Sequence, residues 1–250
     1  MKKRIWLILL GAVVLAAAAF LIYTGQYYRA DADARAALRS DGAVQVTRTG
    51  YGWFFDGPSE TEALVFYPGA KVEETAYAPL LRRIAEGGMD VCLIKMPFRL
   101  AVFGIDSAGR AMREHGHTSW VIGGHSLGGA MAAGYASRHG AELTGVVLLA
   151  AYSTKPLDDS LRVVSIFGSE DGVLDMVKLR AQDRCLPAGR EQRVIEGGNH
   201  AQFGNYGRQR GDGDASISAE DQQRRTADLI LAAFGQGAET DPLPRGADFP

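Results

Sequence analysis

The stretch Trp120-Val121-Ile122-Gly123-Gly124-His125-Ser126-Leu127-Gly128-Gly129 decides the fold of this chain. Its first half is an apolar strand, and its second half opens a run of small residues, 127–138, that ends at Gly140 and is typical of a helix. Between them, Gly124–Gly128 matches G-x-S-x-G, the pattern of a serine on a sharp strand-to-helix turn flanked by very small residues. We therefore predict that Ser126 is a nucleophile. The alternative is a glycine-rich turn with an incidental serine.

Apolar runs and helical stretches alternate on both sides of this turn. The runs are residues 63–67, 91–94, 120–123, 146–149, 163–167 and 192–195, preceded by a hairpin at 44–47 and 52–55. Helices are predicted around 77–84, 100–114, 127–138, 173–182 and 219–234. Strands that are apolar without alternation, each followed by a helix, indicate a parallel sheet covered on both faces. We predict an α/β fold with a mostly parallel sheet, whose ligand site lies beyond the carboxyl ends of the strands.

A serine hydroxyl needs a base to accept its proton, and histidine is the usual base. Of five histidines, only His200 follows the carboxyl end of a predicted strand, in the loop Gly197–His200. The other four are His115 and His117, at the amino end of a strand, His139, at the far end of a helix, and His125, whose ring cannot easily face its neighbour's hydroxyl. We predict that His200 is the base; the alternative is a surface loop histidine.

The acid that orients the histidine is expected in the loop Gly168–Gly172, after the strand 163–167. Asp171 precedes a glycine there, in a turn that can hold its carboxylate toward an imidazole N–H. Glu170 is the rival, whereas Asp175 lies too far into the following helix. The loop therefore supplies the acid, with Asp171 favoured.

Two backbone N–H groups are expected to hold the oxyanion that forms during acyl transfer. One belongs to Leu127, directly after the nucleophile, and the other to the loop Pro68–Lys71 after the strand 63–67. Ala70 occupies the donor position in that loop. Lys71 either adds positive charge near the site or is a solvated loop lysine.

The N-terminus has the pattern of a membrane segment. Lys2, Lys3 and Arg4 precede the apolar run Ile5–Tyr23, nineteen residues without a charge. A helix of that length reaches about 28 Å, close to the hydrocarbon thickness of a bilayer. The basic cluster is expected on the cytoplasmic side, which places the rest of the chain outside the cytoplasm. A cleaved signal peptide, with a site near residues 30–32, is the alternative and gives the same side or a secreted protein.

Composition limits the remaining possibilities. The 250 residues are 46% apolar and 22% charged, which suits one globular domain. We assign residues 1–24 to the membrane anchor, 25–42 to a linker with a short helix, 43–236 to the domain and 237–250 to a disordered tail. Without the three N-terminal basic residues the chain has 24 basic against 29 acidic residues and no basic stripe, so nucleic acid is excluded as a partner.

The two cysteines, Cys92 and Cys185, belong to no metal-ligand or CxxC pattern. Zinc and thioredoxin-type chemistry are therefore disfavoured, and we predict neither a metal nor a cofactor. Cys92 is expected in the core of a strand. A disulfide between the two cysteines stays open as an alternative.

Taken together, the motifs resemble the α/β-hydrolase superfamily, and in particular its small lidless dienelactone-hydrolase-like group, the α/β-hydrolase fold-5 family. The resemblance covers residues 43–236 and rests on Tyr67–Ala70, Gly124–Gly129, Gly168–Gly172 and Gly197–Gly204. It implies that Ser126, Asp171 and His200 are nucleophile, acid and base, with Ala70 and Leu127 in the oxyanion hole. Two positions depart from the family pattern: dienelactone hydrolases proper have a cysteine nucleophile, and the usual His-Gly is Pro68-Gly69 here.

Larger relatives carry a lid between two strands where this chain has only about a dozen residues, from Ala150 to Arg162. We therefore expect an open site, with residues 203–213 folded over one side. The expected function is hydrolysis of a small-molecule carboxylic ester, thioester or lactone through an acyl-enzyme, by a protein anchored in the membrane. An acyltransferase with the same triad and a non-catalytic binding protein on the same fold are the alternatives.

Overall fold

Eight strands form one sheet in the computed structural model, which describes residues 2–58 and 61–235. The strands are β1 (Gln45–Arg48), β2 (Gly52–Asp56), β3 (Glu62–Tyr67), β4 (Asp90–Ile94), β5 (Ser119–His125), β6 (Gly145–Leu149), β7 (Arg162–Gly168) and β8 (Glu191–Ile195). Their order across the sheet is β1-β2-β4-β3-β5-β6-β7-β8. The strand β2 pairs antiparallel with both of its neighbours, β1 and β4, whereas the strands β3 to β8 pair in parallel. The predicted α/β fold and its opening hairpin are confirmed.

Helices cover both faces of the sheet. The α-helices of the described residues are α1 (Lys2–Gly25), α2 (Ala32–Ala36), α3 (Ala78–Glu86), α4 (Ser107–Glu114), α5 (Leu127–His139), α6 (Met176–Gln182) and α7 (Ala219–Phe234). On one face, α3 and α7 pack against each other and on the sheet, while α4 and α5 cover the opposite face.

The central strands lack polar alternation because both of their faces are buried. In β3, Leu64 and Phe66 join the core beneath α3 and α7, whereas Ala63 and Val65 join the core beneath α4 and α5. Full burial of one such large apolar side chain contributes about 1.5–3 kcal/mol, so each face stabilises the sheet. The edge strand β8 is only half-buried.

Three predicted helices are shorter in the structure. The helix predicted over 100–114 begins at Ser107, after two 3-10 turns, Pro97–Arg99 and Ala101–Phe103. The one predicted over 173–182 begins at Met176, because the Asp175 carboxylate accepts the N–H of Lys178 and caps it. In the linker only α2 is helical, because the main chain of Tyr28 pairs instead with Val72.

The N-terminal helix α1 extends away from the sheet. Its residues Lys3–Gly25 are long and apolar enough to cross a membrane, and the most apolar stretch is not buried against the rest of the chain. Among the described residues, none between β6 and β7 forms a helix or strand, as expected for a chain without a lid. Both cysteines are free, with Cys92 buried in β4 as predicted. The predicted tail, 237–250, lies outside the described residues.

Candidate active site

Ser126 occupies the turn between β5 and α5 in a conformation that non-glycine residues rarely adopt, with φ 55° and ψ −125°. Its backbone N–H donates to the carbonyl of Leu149 on the neighbouring strand at 2.9 Å, which helps to fix the turn. The side chain is partly exposed, at the N-terminus of α5. The strained turn thus presents the hydroxyl at the carboxyl edge of the sheet, and the partial positive charge of the helix end lies beside it.

The glycines on either side of the turn have no room for a side chain. A Cβ at Gly124 would lie 2.5 Å from the carbonyl oxygen of Tyr67, and one at Gly128 would lie 2.2 Å from the same atom. The predicted requirement for very small residues two before and two after Ser126 is confirmed. The close approach also holds the end of β3, and the loop after it, against the nucleophile turn.

Asp171 and His200 form a buried pair. Nδ1 of His200 lies 2.9 Å from Oδ2 of Asp171, and both side chains are 1% exposed. The other carboxylate oxygen, Oδ1, accepts the N–H groups of Val173 at 2.9 Å and Leu174 at 2.8 Å. These bonds hold the carboxylate as an acceptor, so Nδ1 carries a proton and, in the neutral ring, Nε2 is the free acceptor.

The ring of His200 lies beside the end of β5. Its centroid is 4.4 Å from that of His125, the residue before Ser126. Within residues 2–58 and 61–235, no group hydrogen-bonds to the buried Nε2 of His200, and Ser126 is therefore not bonded to it in this structure. Such contacts are often long in unliganded sites and tighten when substrate binds. Ser126, Asp171 and His200 follow the ends of β5, β7 and β8, at one edge of the sheet.

The rival residues have other partners. Glu170 is exposed and accepts from the hydroxyl of Ser169, and Asp175 caps α6. Among the histidines, His115 bonds to Tyr51, His117 to Asp90 and His139 to Glu142. None of these side chains is part of the pair at the carboxyl edge.

The predicted oxyanion donors are the backbone N–H groups of Ala70 and Leu127. The N–H of Ala70 has no partner among the described residues, and that of Leu127, the first of α5, has none within its helix. The neighbouring N–H of Gly69 is instead donated to the phenol oxygen of Tyr77 at 3.1 Å. Lys71 is partly exposed, and its Nζ lies 3.9 Å from the ring centre of Tyr23 at the end of α1.

Tyr77 and His125 form a second buried pair, which the sequence analysis assigned no role. The phenol oxygen of Tyr77 lies 2.8 Å from Nδ1 of His125. Burial first, and then the neighbouring His200, hold the pKa of His125 well below its usual range, so that its ring is neutral. Burial raises the pKa of Tyr77, which keeps its hydroxyl protonated and able to donate to Nδ1. Helical periodicity placed Tyr77 on an apolar face, and nothing in that pattern shows a polar contact.

Asp212 is the second residue that sequence reasoning missed. Its Oδ1 accepts the N–H of His200 at 3.1 Å and that of Gly172 at 3.2 Å, and its Oδ2 accepts the N–H of Ala201 at 2.8 Å. One carboxylate therefore ties together the loops that carry His200 and Asp171. Residues 203–213 were expected to fold over one side of the site, and Asp212 in this segment contacts the loop of His200. We call its hydrogen bonds to the two loops the polar clamp.

A mostly parallel sheet whose central strand ends in a strained serine turn defines the class of α/β hydrolases. The model of the alpha/beta hydrolase family matches residues 63–224. The chain belongs to this family. No curated protein matches it.

Solved structures share the fold at low sequence identity. A predicted CIB-like hydrolase from Thermoplasma acidophilum is 15% identical with a TM-score of 0.53, covering 75% of this chain and 98% of that one. Dienelactone hydrolase from Anabaena variabilis is 12% identical with a TM-score of 0.55, covering 77% and 99%. A membrane phospholipase A, described as a bacterial virulence factor, is 12% identical with a TM-score of 0.58, covering 93% and 97%.

Proposed function

We propose that this hydrolase cleaves a carboxylic ester, with Ser126 as nucleophile, His200 as general base and Asp171 as the acid that orients it. The observation that carries the proposal is the buried Asp171–His200 pair, whose Nε2 is left without a partner beside the strained serine turn. An imidazole that is fixed at Nδ1 and free at Nε2 is ready to accept a proton from a hydroxyl.

The reaction proceeds in two halves. The oxygen of Ser126 attacks the ester carbonyl while its proton passes to Nε2 of His200, and the N–H groups of Ala70 and Leu127 hold the resulting oxyanion. His200 then gives the proton to the departing alcohol, which leaves the acyl group on Ser126. Water, deprotonated by the same Nε2, releases the acid and restores the serine. Asp171 stabilises the imidazolium ion in both halves.

Two features support a position at the membrane. The helix α1 is apolar from Ile5 to Tyr23, and its most apolar stretch is not buried by the domain. The likeness to the membrane phospholipase A covers 93% of the chain, more than the hydrolase domain alone can account for. We therefore propose that α1 anchors the protein, with the hydrolase domain on the extracytoplasmic side as the basic residues Lys2, Lys3 and Arg4 indicate.

The test uses the full chain in detergent micelles, with short p-nitrophenyl esters and a fluorophosphonate probe that labels activated serines. The wild type is expected to hydrolyse the esters and to be labelled, and Ser126→Ala to do neither. Ser137→Ala is the matched control, because Ser137 lies on the same helix, α5, and its hydroxyl donates to the carbonyl of Gly134 within that helix. Equal turnover by the wild type and Ser126→Ala contradicts the proposal.

A further inference from the structure

An aromatic cluster joins α1 to the 3-10 turns Pro97–Arg99 and Ala101–Phe103. The ring of Phe20, in α1, lies 5.1 Å from that of Phe98 and 5.8 Å from that of Phe103, both edge to face. Phe98 and Phe103 lie 5.8 Å from each other. The two rings remain 48% and 53% exposed, and Val102 between them is 44% exposed. The 3-10 turns at 97–103 thus present apolar side chains to the surroundings on the side of α1.

The contact with Phe20 sets the position of Phe98 and Phe103 along the axis of α1. Phe20 lies five residues before the end of α1, which is about 7–8 Å along the helix axis. If α1 crosses a bilayer, side chains that touch Phe20 lie below the level of the helix end, within the lipid. Water is then not the medium around Phe98 and Phe103, and their exposure carries no hydrophobic cost.

Cationic side chains contact tyrosines that follow Phe20 in the sequence, near and beyond the end of α1. Nζ of Lys71 lies 3.9 Å from the ring centre of Tyr23, and the guanidinium carbon of Arg99 lies 3.4 Å from that of Tyr27. The guanidinium of Arg29 lies 4.9 Å from the same Tyr27 ring. Tyrosines with lysine and arginine are typical of the headgroup layer, where the rings are amphipathic and the cations meet lipid phosphates.

Backbone hydrogen bonds connect this surface to the oxyanion loop. The N–H of Tyr28 donates to the carbonyl of Lys71 at 2.8 Å, and that of Glu73 donates back to Tyr28 at 2.9 Å. The N–H of Lys71 donates to the carbonyl of Arg99 at 2.9 Å. The strand-like segment after α1, the loop that carries Ala70 and the turn that carries Phe98 are therefore one connected unit.

We propose that Phe98, Val102 and Phe103 form a membrane-insertion rim, and that the candidate active site opens onto the lipid surface beside it. The substrate class follows: an ester carried by a lipid or by another amphiphile dissolved in the bilayer. This statement about substrate rests on the proposed hydrolase function and on α1 crossing the membrane. The insertion of Phe98, Val102 and Phe103 depends only on α1 crossing the membrane.

The first experiment measures depth without using activity. Val102→Cys is labelled with an environment-sensitive fluorophore in the full chain, reconstituted in phosphatidylcholine vesicles that contain doxyl-labelled lipid. Cys92 and Cys185 are buried and stay unlabelled, and Val177→Cys, at a position 79% exposed, is the matched control. The label at 102 is expected to be blue-shifted and quenched by the doxyl lipid, and the label at 177 is not. A label at 102 that is not quenched overturns the proposal. This includes the case in which a second copy of the chain, and not lipid, covers the label.

The second experiment compares an ester embedded in vesicles with a water-soluble p-nitrophenyl ester. For Phe98→Ser combined with Phe103→Ser, the ratio of vesicle turnover to soluble turnover is expected to fall about tenfold or more, since two apolar anchors are lost. Val177→Ser is expected to keep the wild-type ratio. A wild type that cleaves only the soluble ester overturns the substrate class and leaves the proposed function standing. A wild type that cleaves neither, and takes no fluorophosphonate label, contradicts the proposed function, while the depth measurement still tests the rim.

Discussion

The phenol oxygen of Tyr77 lies 2.8 Å from Nδ1 of His125 and 3.1 Å from the backbone nitrogen of Gly69. Tyr77 therefore donates to the residue before the nucleophile and accepts from the residue before the proposed oxyanion donor Ala70. One hydroxyl therefore bridges the two loops that are proposed to hold a substrate carbonyl.

Tyr77→Phe removes that hydroxyl and leaves a buried N–H and a buried ring nitrogen without a partner. We expect a loss of about 1–3 kcal/mol in the free energy of unfolding, because such groups lose their desolvation compensation. Denaturant unfolding of the full chain in detergent measures it. Tyr135→Phe is the control, because Tyr135 is 2% exposed but its hydroxyl makes only long contacts, 3.5 Å to Glu142 and 3.9 Å to Met112. Equal losses in the two variants would show that the hydrogen bonds of Tyr77 to His125 and Gly69 do not stabilise the fold.

Asp171→Asn tests the orientation of His200. An asparagine amide facing Nδ1 would favour the tautomer that carries its proton on Nε2, so the base could no longer accept from Ser126. We expect kcat to fall by about 10⁴, as in other triads with this change. Steady-state kinetics with a p-nitrophenyl ester measure the loss.

The controls for this change are the two rival carboxylates. Glu170→Gln alters an exposed side chain that accepts a hydrogen bond from Ser169, and Asp175→Asn alters a helix cap. Both should keep kcat within a few-fold of the wild type. If Glu170→Gln loses activity and Asp171→Asn does not, the acid has been assigned to the wrong residue.

The strands, the nucleophile turn and the last helix could be predicted because each is encoded locally. The apolar residues of β5 suit a buried strand, and the small residues of α5 suit a helix that packs closely on the sheet. The bounds of α7 are those that its apolar periodicity predicts. Motif spacing similarly brought Asp171 and His200 to one edge, and the structure places them in contact.

The contacts that were missed depend on distant loops. Asp212 lies in a glycine-rich loop whose local sequence is equally compatible with a solvated turn, and only the folded chain brings its carboxylate to the N–H of His200. The linker 25–42 was predicted to contain a short helix, and α2 covers only part of it, because Tyr28 pairs with Val72, a partner far along the chain. Tertiary hydrogen bonds overrode a weak local preference in this segment.

Asp212→Ala is expected to lower both stability and turnover. Four backbone N–H groups, those of Gly172, His200, Ala201 and Gly213, lose their acceptor, which costs about 1–3 kcal/mol in the free energy of unfolding. The loops of His200 and Asp171 are then free to shift, and a displacement near 1 Å can reduce kcat/KM by about 10². Asp214→Ala is the control, since that side chain is 81% exposed. Asp212→Asn keeps one oxygen acceptor and should restore part of both losses; no recovery, or an effect no larger than that of Asp214→Ala, argues against the clamp.

The last prediction concerns pH, because burial holds the pKa of His125 below its usual range in the folded protein. The unfolded chain takes up a proton on this ring below pH of about 6.5, and the folded chain does not until a lower pH. The unfolded state therefore binds more protons in this window, so this contribution to stability is complete above about pH 6.5 and is lost as the pH falls. The slope from one such group approaches about 1.4 kcal/mol per pH unit.

Unfolding free energies of the wild type and His125→Asn, measured from pH 8 to pH 5, isolate this contribution. Asparagine retains an oxygen that can accept from Tyr77 but cannot titrate, so its stability should fall less steeply. The pKa of His115 is also lowered by burial, and since that residue is present in both proteins its contribution cancels in the difference. Parallel pH profiles for the wild type and His125→Asn would mean that the buried ring takes up a proton as readily in the folded protein as in the unfolded chain, which contradicts a ring kept neutral by burial.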